Sequence, residues 1–271
     1  GEGDVFVAAG VETVSRFEKG KSDGLPDTKN KLFIDGKLDI PNVYMAMGET
    51  AEKVAELENI TREEMDEYSV RSQKLAVEAI SAGVFEREIT PVLLADGTVI
   101  SKDDCPRSGT TVEKLAGLKP VFREDGRVTA GNACPLNDGA AAVVVMSDTR
   151  ARELGIDPVA RIVSTGLSAL NPELMGLGPI GASRQALARS NLTINDIDLV
   201  EINEAFAAQV LPCAKHLEIS WDKLNVHGGA IALGHPFGMT GARIMVTLLN
   251  ALQTKQKNIG LETMCVGGGQ G

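Results

Sequence analysis

The sequence predicts an α/β fold with a largely parallel sheet, and three observations support this prediction. In the second half of the chain, apolar segments of strand length alternate with segments of helical periodicity. The 29 glycines and the aromatic content of 4% favour tight turns and small-residue packing. Polar residues directly follow two of the apolar segments, as at the carboxyl edge of an α/β sheet. With 271 residues and 43% hydrophobic content, the chain can bury one large core or two modest ones.

Composition and charge argue against several classes of protein. A net charge of −10 at pH 7 disfavours nucleic acid and anionic membranes as partners. No apolar segment reaches the roughly 20 residues that span a bilayer. No charged and apolar leader opens the sequence, so the expected location is the cytoplasm. The 4 cysteines include no CxxC pair, which suits a reducing compartment.

The first half of the chain combines a strand, helices and a long loop. Thr61 and Glu64 form a capping-box pattern, and Gly83 follows the helix that they begin. The segment DVFVAA at 4–9 predicts a buried strand. The other predicted elements are a surface loop at 16–42, helices at 41–54, 61–81 and 111–118, and a hairpin at 88–100 around Asp96-Gly97.

The second half alternates strands with helices. A small-residue turn at 129–139 precedes the apolar segment 140–146, which predicts a buried strand of a parallel sheet. Further strands are predicted at 159–168, 198–202 and 260–266, helices at 148–154, 183–190, 205–216 and 240–252, and a loop at 172–179. This alternation predicts βαβ units with right-handed crossovers.

A glycine-rich turn over 225–241 is the most distinctive segment. Its glycines allow backbone angles and close approaches that a β-carbon forbids, and Pro236 holds His235 in an extended conformation. His235 then lies near the positive N-terminus of the helix predicted at 240–252, where a neutral imidazole and bound anions are favoured. The alternative is a tight turn whose histidine has only structural partners.

Three polar corners of the predicted sheet are candidates for one site. Asn203 follows the strand DLVEI, His235 lies in the turn, and Cys265 is the next-to-last residue of the strand LETMCV, which precedes three glycines. Ligands bind where strands end and helices begin, so we expect these corners to converge. Free backbone N–H groups beside Cys265 could lower its thiol pKa from about 8.5 and bind an oxyanion. The alternative is a buried cysteine acting as a small hydrophobic residue.

A metal site is a further alternative. Cys213 and His216 are three residues apart on a predicted helix, with His227 and His235 downstream. This spacing matches no common zinc pattern, so no metal ligand is predicted.

Several segments together resemble the signature blocks of the thiolase family. The most specific are NEAFAAQ at 203–209, GGAIALGHPFG at 228–238 and CVGGGQG at 265–271, in that order. The resemblance extends to GDVFVAAGVETVS at 3–15, MGETAE at 47–52, TAGNACPLNDGAAAVVVMS at 129–147 and MGLGP at 175–179. It implies a layered α/β/α/β/α thiolase-like fold with mixed sheets. Residues 1–20 and 137–155 would form an incomplete N-terminal half, residues 21–136 an inserted loop domain, and residues 156–271 the C-terminal half.

The resemblance also implies an activity. Thiolases are acyltransferases that cleave 3-ketoacyl-CoA with free coenzyme A or run the reverse Claisen condensation. Coenzyme A is a substrate, and no other cofactor is expected. Family members form homodimers or homotetramers.

The resemblance implies roles for particular residues. His235 would be the activating base, Cys265 the acid and base at the substrate α-carbon, Asn203 the residue that positions a water, and the Gly267 N–H a donor to the acyl-enzyme oxyanion. Arg107 would lie near the adenine and phosphate end of coenzyme A. The pantetheine and acyl path would be lined by Met47, Phe122, Ala130, Cys134, Leu136, Met175 and Phe206. Ordinary packing is the alternative for each of these residues, above all for Met47, Leu136 and Met175.

The sequence departs from the family pattern in two respects. The acylated cysteine of the family lies upstream of the segment with which this sequence opens, so we expect an internal fragment that cannot form an acyl-enzyme alone. None of Cys105, Cys134 and Cys213 lies in a segment that matches the family's acylated-cysteine block. Ala46 stands where many biosynthetic members carry histidine, which favours a degradative enzyme of fatty acid β-oxidation. A non-catalytic fragment that binds coenzyme A or assists assembly is the second hypothesis.

Overall fold

In the part of the chain that the structure describes, the strands pair into three two-stranded sheets. The structure is a computed structural model, and it describes residues 3–16, 29–33 and 43–271. The predicted loop at 16–42 therefore lies mostly outside the described residues. The strands are β1 (Val5–Thr13), β2 (Val92–Leu93), β3 (Val99–Ile100), β4 (Asp138–Met146), β5 (Leu199–Ile202) and β6 (Gly260–Thr263). The α-helices are α1 (Met47–Leu57), α2 (Arg62–Ser81), α3 (Val112–Ala116), α4 (Asp148–Leu154), α5 (Gly178–Ser190), α6 (Ala207–His216), α7 (Ala230–Leu233) and α8 (Thr240–Lys255).

The parallel pair β5 and β6 organises the C-terminal part of the chain. Their register runs from Leu199 opposite Gly260 to Ile202 opposite Thr263, and α6, α7 and α8 lie between them in sequence. Every residue of β5 is buried. The predicted parallel βαβ arrangement is confirmed here, and the carboxyl ends of both strands share one edge.

The main core surrounds α6. Its alanines and valine are fully buried, and the core includes buried residues of α1, α2 and β5. Small side chains let neighbouring helices approach closely, which accounts for the dense packing with few aromatic residues. The buried residues of this core include Ala51, Ala55, Met65, Tyr68, Val200, Ile202, Ala207, Ala208, Val210 and Leu224.

Several helix boundaries match their local signals. Thr61 caps α2, since its hydroxyl accepts from the Glu64 N–H at 3.1 Å and the Glu64 carboxylate accepts from the Thr61 N–H at 2.7 Å. Gly83 follows the helix with a φ of 71°. The hairpin β2–β3, α3 and α4 also form where the sequence predicts them.

The expectation of burial was wrong for both β1 and β4, and the expectation of a parallel sheet was wrong for β4. The two strands pair antiparallel, from Val5 opposite Met146 to Thr13 opposite Asp138. Val7 and Val11 are 68% and 69% exposed, and Val144 is 60% exposed. An apolar sequence predicts a strand, but burial also requires a layer on each face. In the described residues, the layers on the two faces of β1 and β4 do not cover these strands completely.

Three further expectations for the second half differ from the structure. The predicted strand at 159–168 forms no ladder among the described residues except at its end, where Ser168 and Gly271 exchange backbone hydrogen bonds of 3.0 and 3.2 Å. A strand needs a partner alongside it, and no described strand lies there. Helix α5 begins at Gly178 rather than at 183, with Pro179 in its first turn, a position that tolerates proline. The predicted loop 172–179 is mostly a 3₁₀ helix over Pro172–Leu177.

No helix among the described residues is long and apolar enough to cross a bilayer. The division into an N-terminal half, a loop domain and a C-terminal half stays a prediction.

Candidate functional site

Asn203 is fixed at the carboxyl edge of the parallel pair. It directly follows β5, and its N–H donates to the Thr263 carbonyl of β6 at 3.0 Å. Only 1% of the residue is exposed. The side chain is therefore held at the edge where an α/β sheet binds its ligands.

His235 occupies the turn between α7 and α8. Its N–H donates to the Asn137 side-chain oxygen at 3.0 Å. Gly234 has a φ of 95°, and a β-carbon there would lie 2.2 Å from the Asn137 side-chain nitrogen. Only glycine allows this approach, so Asn137 and Gly234 together fix the His235 backbone.

The imidazole of His235 contacts both Asn203 and the first residue of α8. The Asn203 Nδ2 atom lies 3.3 Å from Nε2 and 3.4 Å from Nδ1 of the ring. The Thr240 hydroxyl lies 2.6 Å from Nδ1 and donates to the Pro236 carbonyl at 2.9 Å. The Phe237 ring packs edge-on at 5.2 Å between centroids.

Burial keeps the imidazole neutral. It lowers the pKa of His235 to about 4, and the positive charge of Arg243 acts in the same direction. At neutral pH the ring therefore has one unprotonated nitrogen that can accept a proton. This agrees with the neutral imidazole expected for this turn.

Glu204 ties the neighbouring segments together, although the sequence analysis assigned it no role. The residue is completely buried. Its carboxylate accepts hydrogen bonds from the Tyr68 hydroxyl at 2.6 Å, the Ser72 hydroxyl at 2.6 Å and the Asn225 amide at 2.8 Å. It also accepts from the Ile231 N–H at 3.1 Å, in the first turn of α7. The four donors come from α2, the glycine-rich turn and α7, so one side chain fixes the approach to His235.

Cys265 lies two residues beyond the end of β6, beside the strand that carries Asn203. It is 6% exposed, and burial raises the pKa of its thiol to about 12. The expectation that nearby N–H groups lower this pKa was wrong, because desolvation of the thiolate outweighs them. In the described residues, no hydrogen bond joins the Cys265 thiol to Asn203 or His235.

Gly267 belongs to a tight loop closed by Val266 and Gln270. The Val266 N–H donates to the Gln270 carbonyl at 2.9 Å, and the Gln270 N–H donates back at 3.1 Å. Gly267 is exposed, and its N–H has no acceptor in the part of the chain that the structure describes. A β-carbon at Gly267 would lie 3.9 Å from the Met47 sulfur, so α1 begins beside this loop.

Some of the predicted lining residues also come together. Phe122 and Phe206 make an edge-on contact at 6.3 Å between ring centroids. Phe122 packs so closely on Gly48 that a β-carbon there would overlap its ring at 2.1 Å. The Cys134 N–H donates to the Ala205 carbonyl at 3.0 Å, next to Phe206. Met47 and Phe122, both 38% exposed, thus lie on a surface that includes Phe206 and Cys134, and we call these four residues the Phe122 surface.

The remaining predicted lining residues are placed differently. Arg107 is exposed, and its N–H donates to the Gln73 side chain at 2.7 Å. Leu136 is 64% exposed and lines a groove of about 360 Å³ with Cys105 and Asn137. Ala130 is exposed. Met175 is 6% exposed within the 3₁₀ helix, as the packing alternative expects.

Comparison with known proteins identifies the family. Residues 1–149 match the thiolase N-terminal domain, and residues 156–271 match the thiolase C-terminal domain. The chain belongs to the thiolase family. Its enzyme class is therefore that of the acetyl-CoA acyltransferases.

Individual thiolases show how much of the fold this chain shares. It is 46% identical to the acetyl-CoA acetyltransferase of Cupriavidus necator, over 100% of this chain and 72% of the relative. The dimeric peroxisomal thiolase of Saccharomyces cerevisiae superposes with a TM-score of 0.91 at 38% identity, over 98% of this chain and 67% of that one. Human mitochondrial 3-ketoacyl-CoA thiolase in complex with CoA gives a TM-score of 0.87 at 37% identity, over 98% and 69% of the two chains. The predicted thiolase-like α/β fold is confirmed.

Two features of this thiolase chain lie away from the candidate site. A groove of about 330 Å³ at the opposite edge of β5 and β6 is lined by Arg71, Asp198, Trp221, Lys223, Lys255 and Lys257 among others. Among residues 3–16, 29–33 and 43–271, no three His, Cys, Asp or Glu side chains could hold a metal ion together. Cys213 instead donates to the Gly176 carbonyl at 3.2 Å, and His216 contacts Glu58 at 2.9 Å.

The sequence analysis missed Glu204, Asn137 and Thr240. Glu204 had a signal, since a carboxylate between a buried strand and an apolar helix requires buried partners. Asn137 and Thr240 had none, because a polar residue in a turn or at a helix start is ordinary.

Proposed function

We propose that this chain carries the acid–base part of a thiolase active site that acts on coenzyme A thioesters. The reaction is thiolytic cleavage of 3-ketoacyl-CoA or the reverse condensation of acetyl-CoA. One observation carries the proposal: a neutral imidazole held between Asn203 and Thr240 at the carboxyl edge of β5 and β6.

The proposed roles follow from the chemistry of these groups. The unprotonated nitrogen of His235 takes the proton of a nucleophilic thiol, which then attacks the 3-keto carbon. The bond between the α- and β-carbons breaks, and its electron pair goes to the departing acetyl-CoA enolate. The Cys265 thiol gives its proton to the enolate carbon and becomes a thiolate. That thiolate then takes the proton of the incoming coenzyme A thiol, which attacks the acyl group and displaces the nucleophilic thiol as a thiolate. The displaced thiolate takes its proton back from His235.

Negative charge develops on oxygen in this sequence and needs preorganised donors. The Asn203 amide would hold a water that, with His235, stabilises the enolate oxygen. The Gly267 N–H, which is free in the described residues, would serve the acyl-enzyme oxyanion. Donors of this kind are typically worth about 3 kcal/mol each.

A more specific proposal is that the enzyme works in the degradative direction. A thiol with a pKa of about 12 is protonated at neutral pH, which suits a group whose first task is to give a proton. Ala46 in place of a polar histidine supports the same assignment to fatty acid β-oxidation. Relative thiolysis rates on short and long 3-ketoacyl-CoA test it, and a strict preference for the four-carbon substrate would contradict it.

Coenzyme A binding is proposed for the Phe122 surface, with Arg107 near the phosphate end and Ala130, Leu136 and Met175 along the path. The human thiolase complex supports this, since that relative binds CoA and shares 37% sequence identity with this chain. Calorimetric titration with CoA should show one site per chain, weakened about tenfold by Phe122→Ala. Trp221→Ala is the matched control, because Trp221 is an exposed aromatic residue of the opposite groove. Unchanged binding in Phe122→Ala, or weakened binding in Trp221→Ala, would contradict the assignment.

We also propose that this chain alone does not form an acyl-enzyme. Cys213 is buried and bonded to a carbonyl, and burial raises the pKa of Cys134 to about 12. Burial and nearby aspartates also raise the pKa of Cys105. Incubation with radiolabelled acetyl-CoA and acid quenching should leave the chain unlabelled. Label on Cys105, Cys134 or Cys213 would refute this.

The second candidate, a non-catalytic fragment that binds coenzyme A, is favoured by the same cysteine geometry. Exchange of the acetyl-CoA methyl protons in deuterium oxide distinguishes the thiolase proposal from the non-catalytic fragment. This exchange needs an acid–base group but no nucleophile. The first proposal predicts exchange above the buffer rate that is lost in Cys265→Ser and retained in Cys105→Ser. Binding without exchange would support the non-catalytic fragment.

Self-association is the last part of the proposal. The exposed valines of β1 and β4 form an apolar area, and the yeast relative is a dimer. A homodimer or homotetramer in the cytoplasm is proposed, and sedimentation velocity tests the assembly.

A further inference from the structure

Thr240 is the partner of His235 on the side of Nδ1. The threonine is completely buried at the start of α8. Its hydroxyl oxygen lies 2.6 Å from Nδ1 and 2.9 Å from the Pro236 carbonyl oxygen. A carbonyl oxygen only accepts, so the single hydroxyl proton goes to Pro236. The hydroxyl oxygen is then left to accept a proton from Nδ1.

Asn203 accommodates the same proton arrangement on its side of the ring. Its amide nitrogen donates and cannot accept, and it lies 3.3 Å from Nε2 and 3.4 Å from Nδ1, so it can donate to whichever of the two nitrogens Thr240 leaves unprotonated. An unprotonated Nε2 accepts that bond, whereas a protonated Nε2 would face another donor. Rotating the Asn203 amide would reverse this contact, but Thr240 would then have to donate to Nδ1. That arrangement loses the bond from Thr240 to Pro236.

We propose that Thr240 is a positioning residue that fixes His235 as the Nδ1-protonated tautomer. This leaves Nε2 as the nitrogen that accepts a proton during the reaction. The inference rests on the proposed function, because the tautomer matters only if His235 acts as a base. Thr240 itself touches no reacting atom.

The tautomer can be read directly on the chain. Long-range proton–nitrogen correlation spectra of the chain labelled with nitrogen-15 histidine report which ring nitrogen carries the proton. His216→Gln and His227→Gln variants assign the signals, since the sequence has 3 histidines. We expect the Nδ1-protonated form of His235 to exceed the other by at least about tenfold, as one hydrogen bond of about 1.4 kcal/mol gives. A predominantly Nε2-protonated His235 would overturn the proposal.

Three variants test whether Thr240 is the cause. Thr240→Val removes the hydroxyl at nearly constant shape and should lower the tautomer ratio about tenfold. Thr240→Ser keeps the hydroxyl and should restore the ratio, and it serves as the readout if the valine variant does not fold. Thr247→Val is the matched control, because Thr247 is a buried threonine of the same helix that donates to Glu88 at 2.8 Å. An unchanged ratio in Thr240→Val, or a changed ratio in Thr247→Val, would contradict the assignment.

Failure of this inference and failure of the proposed function are distinguishable. The spectra need no substrate, so they report the tautomer whether or not the chain binds coenzyme A. Absent CoA binding with an intact tautomer would reject the function alone.

Discussion

The Tyr68 hydroxyl donates a 2.6 Å hydrogen bond to the Glu204 carboxylate, across 136 residues of sequence. Both residues are buried, and burial together with the negative charge of Glu204 raises the pKa of Tyr68 well above its usual value. A carboxylate in this position is stable only because four donors surround it. The bond therefore links α2 to the segment after β5, and Asn225 and the Ile231 N–H join that segment to the turn that carries His235.

Replacing Glu204 by glutamine should destabilise the chain. The new amide NH2 would face hydroxyl and N–H donors, which leaves at least one buried donor unpaired. We expect the free energy of unfolding to fall by about 2–4 kcal/mol, measured by chemical denaturation. Glu78→Gln on the exposed face of α2 is the control and should change stability by less than about 0.5 kcal/mol. Equal stability of the two variants would show that the carboxylate contributes nothing.

Gly229→Ala should disturb the same network by a steric route. A β-carbon at Gly229 would lie 2.2 Å from the Glu204 carboxyl carbon, although the φ of −145° suits any residue. We expect a loss of about 2 kcal/mol or more from overpacking. Gly117→Ala is the matched control, because the nearest atom to its β-carbon lies at 3.6 Å and its φ is −74°. Unfolding temperatures of both variants decide the point, and a Gly229→Ala variant as stable as its control would contradict this packing.

Glu262 should make stability fall as the pH rises. Burial raises its pKa to about 7, above the usual 4.5, and Arg243 offsets this only in part. The contribution of the protonated Glu262 carboxyl to stability is fully present below about pH 4.5 and is lost as the pH rises through 7. Between about pH 5 and pH 8, the wild type should lose on the order of 2 kcal/mol relative to Glu262→Gln, after discounting for partial exposure.

The control for Glu262 is Glu124→Gln, at an exposed carboxylate. Chemical denaturation across the pH range should give this variant the wild-type slope. A Glu262→Gln slope equal to that of the wild type would contradict the raised pKa.

Cys265 should react slowly and with a steep pH dependence. A thiol with a pKa of about 12 has a thiolate fraction that increases about tenfold per pH unit up to that value. Alkylation by iodoacetamide, followed by mass spectrometry, should therefore show no plateau for Cys265 below about pH 10. It should also lag behind Cys105, which is only half-buried. A plateau near neutral pH would mean that the thiolate is stabilised after all.

Local signals sufficed for much of the fold and for part of the site. The capping box at Thr61, the hairpin at Asp96-Gly97 and α8 all form where short-range patterns predict them. The placement of His235 near the start of α8 also follows from the glycine and proline pattern. These features depend on a few neighbouring residues, so they can be predicted directly from the sequence.

What the sequence determined by itself was therefore the family, the order of elements and the chemical groups at the strand ends. Tertiary structure alone decided that Asn203 contacts His235, that Glu204 accepts hydrogen bonds from four donors, and that Thr240 contacts Nδ1 of His235. It also decided that Cys265 has a raised rather than a lowered pKa and that β1 and β4 pair antiparallel with exposed valines. The physical reason is that desolvation, hydrogen-bond partners and covering layers come from segments distant in sequence, and no local pattern encodes them.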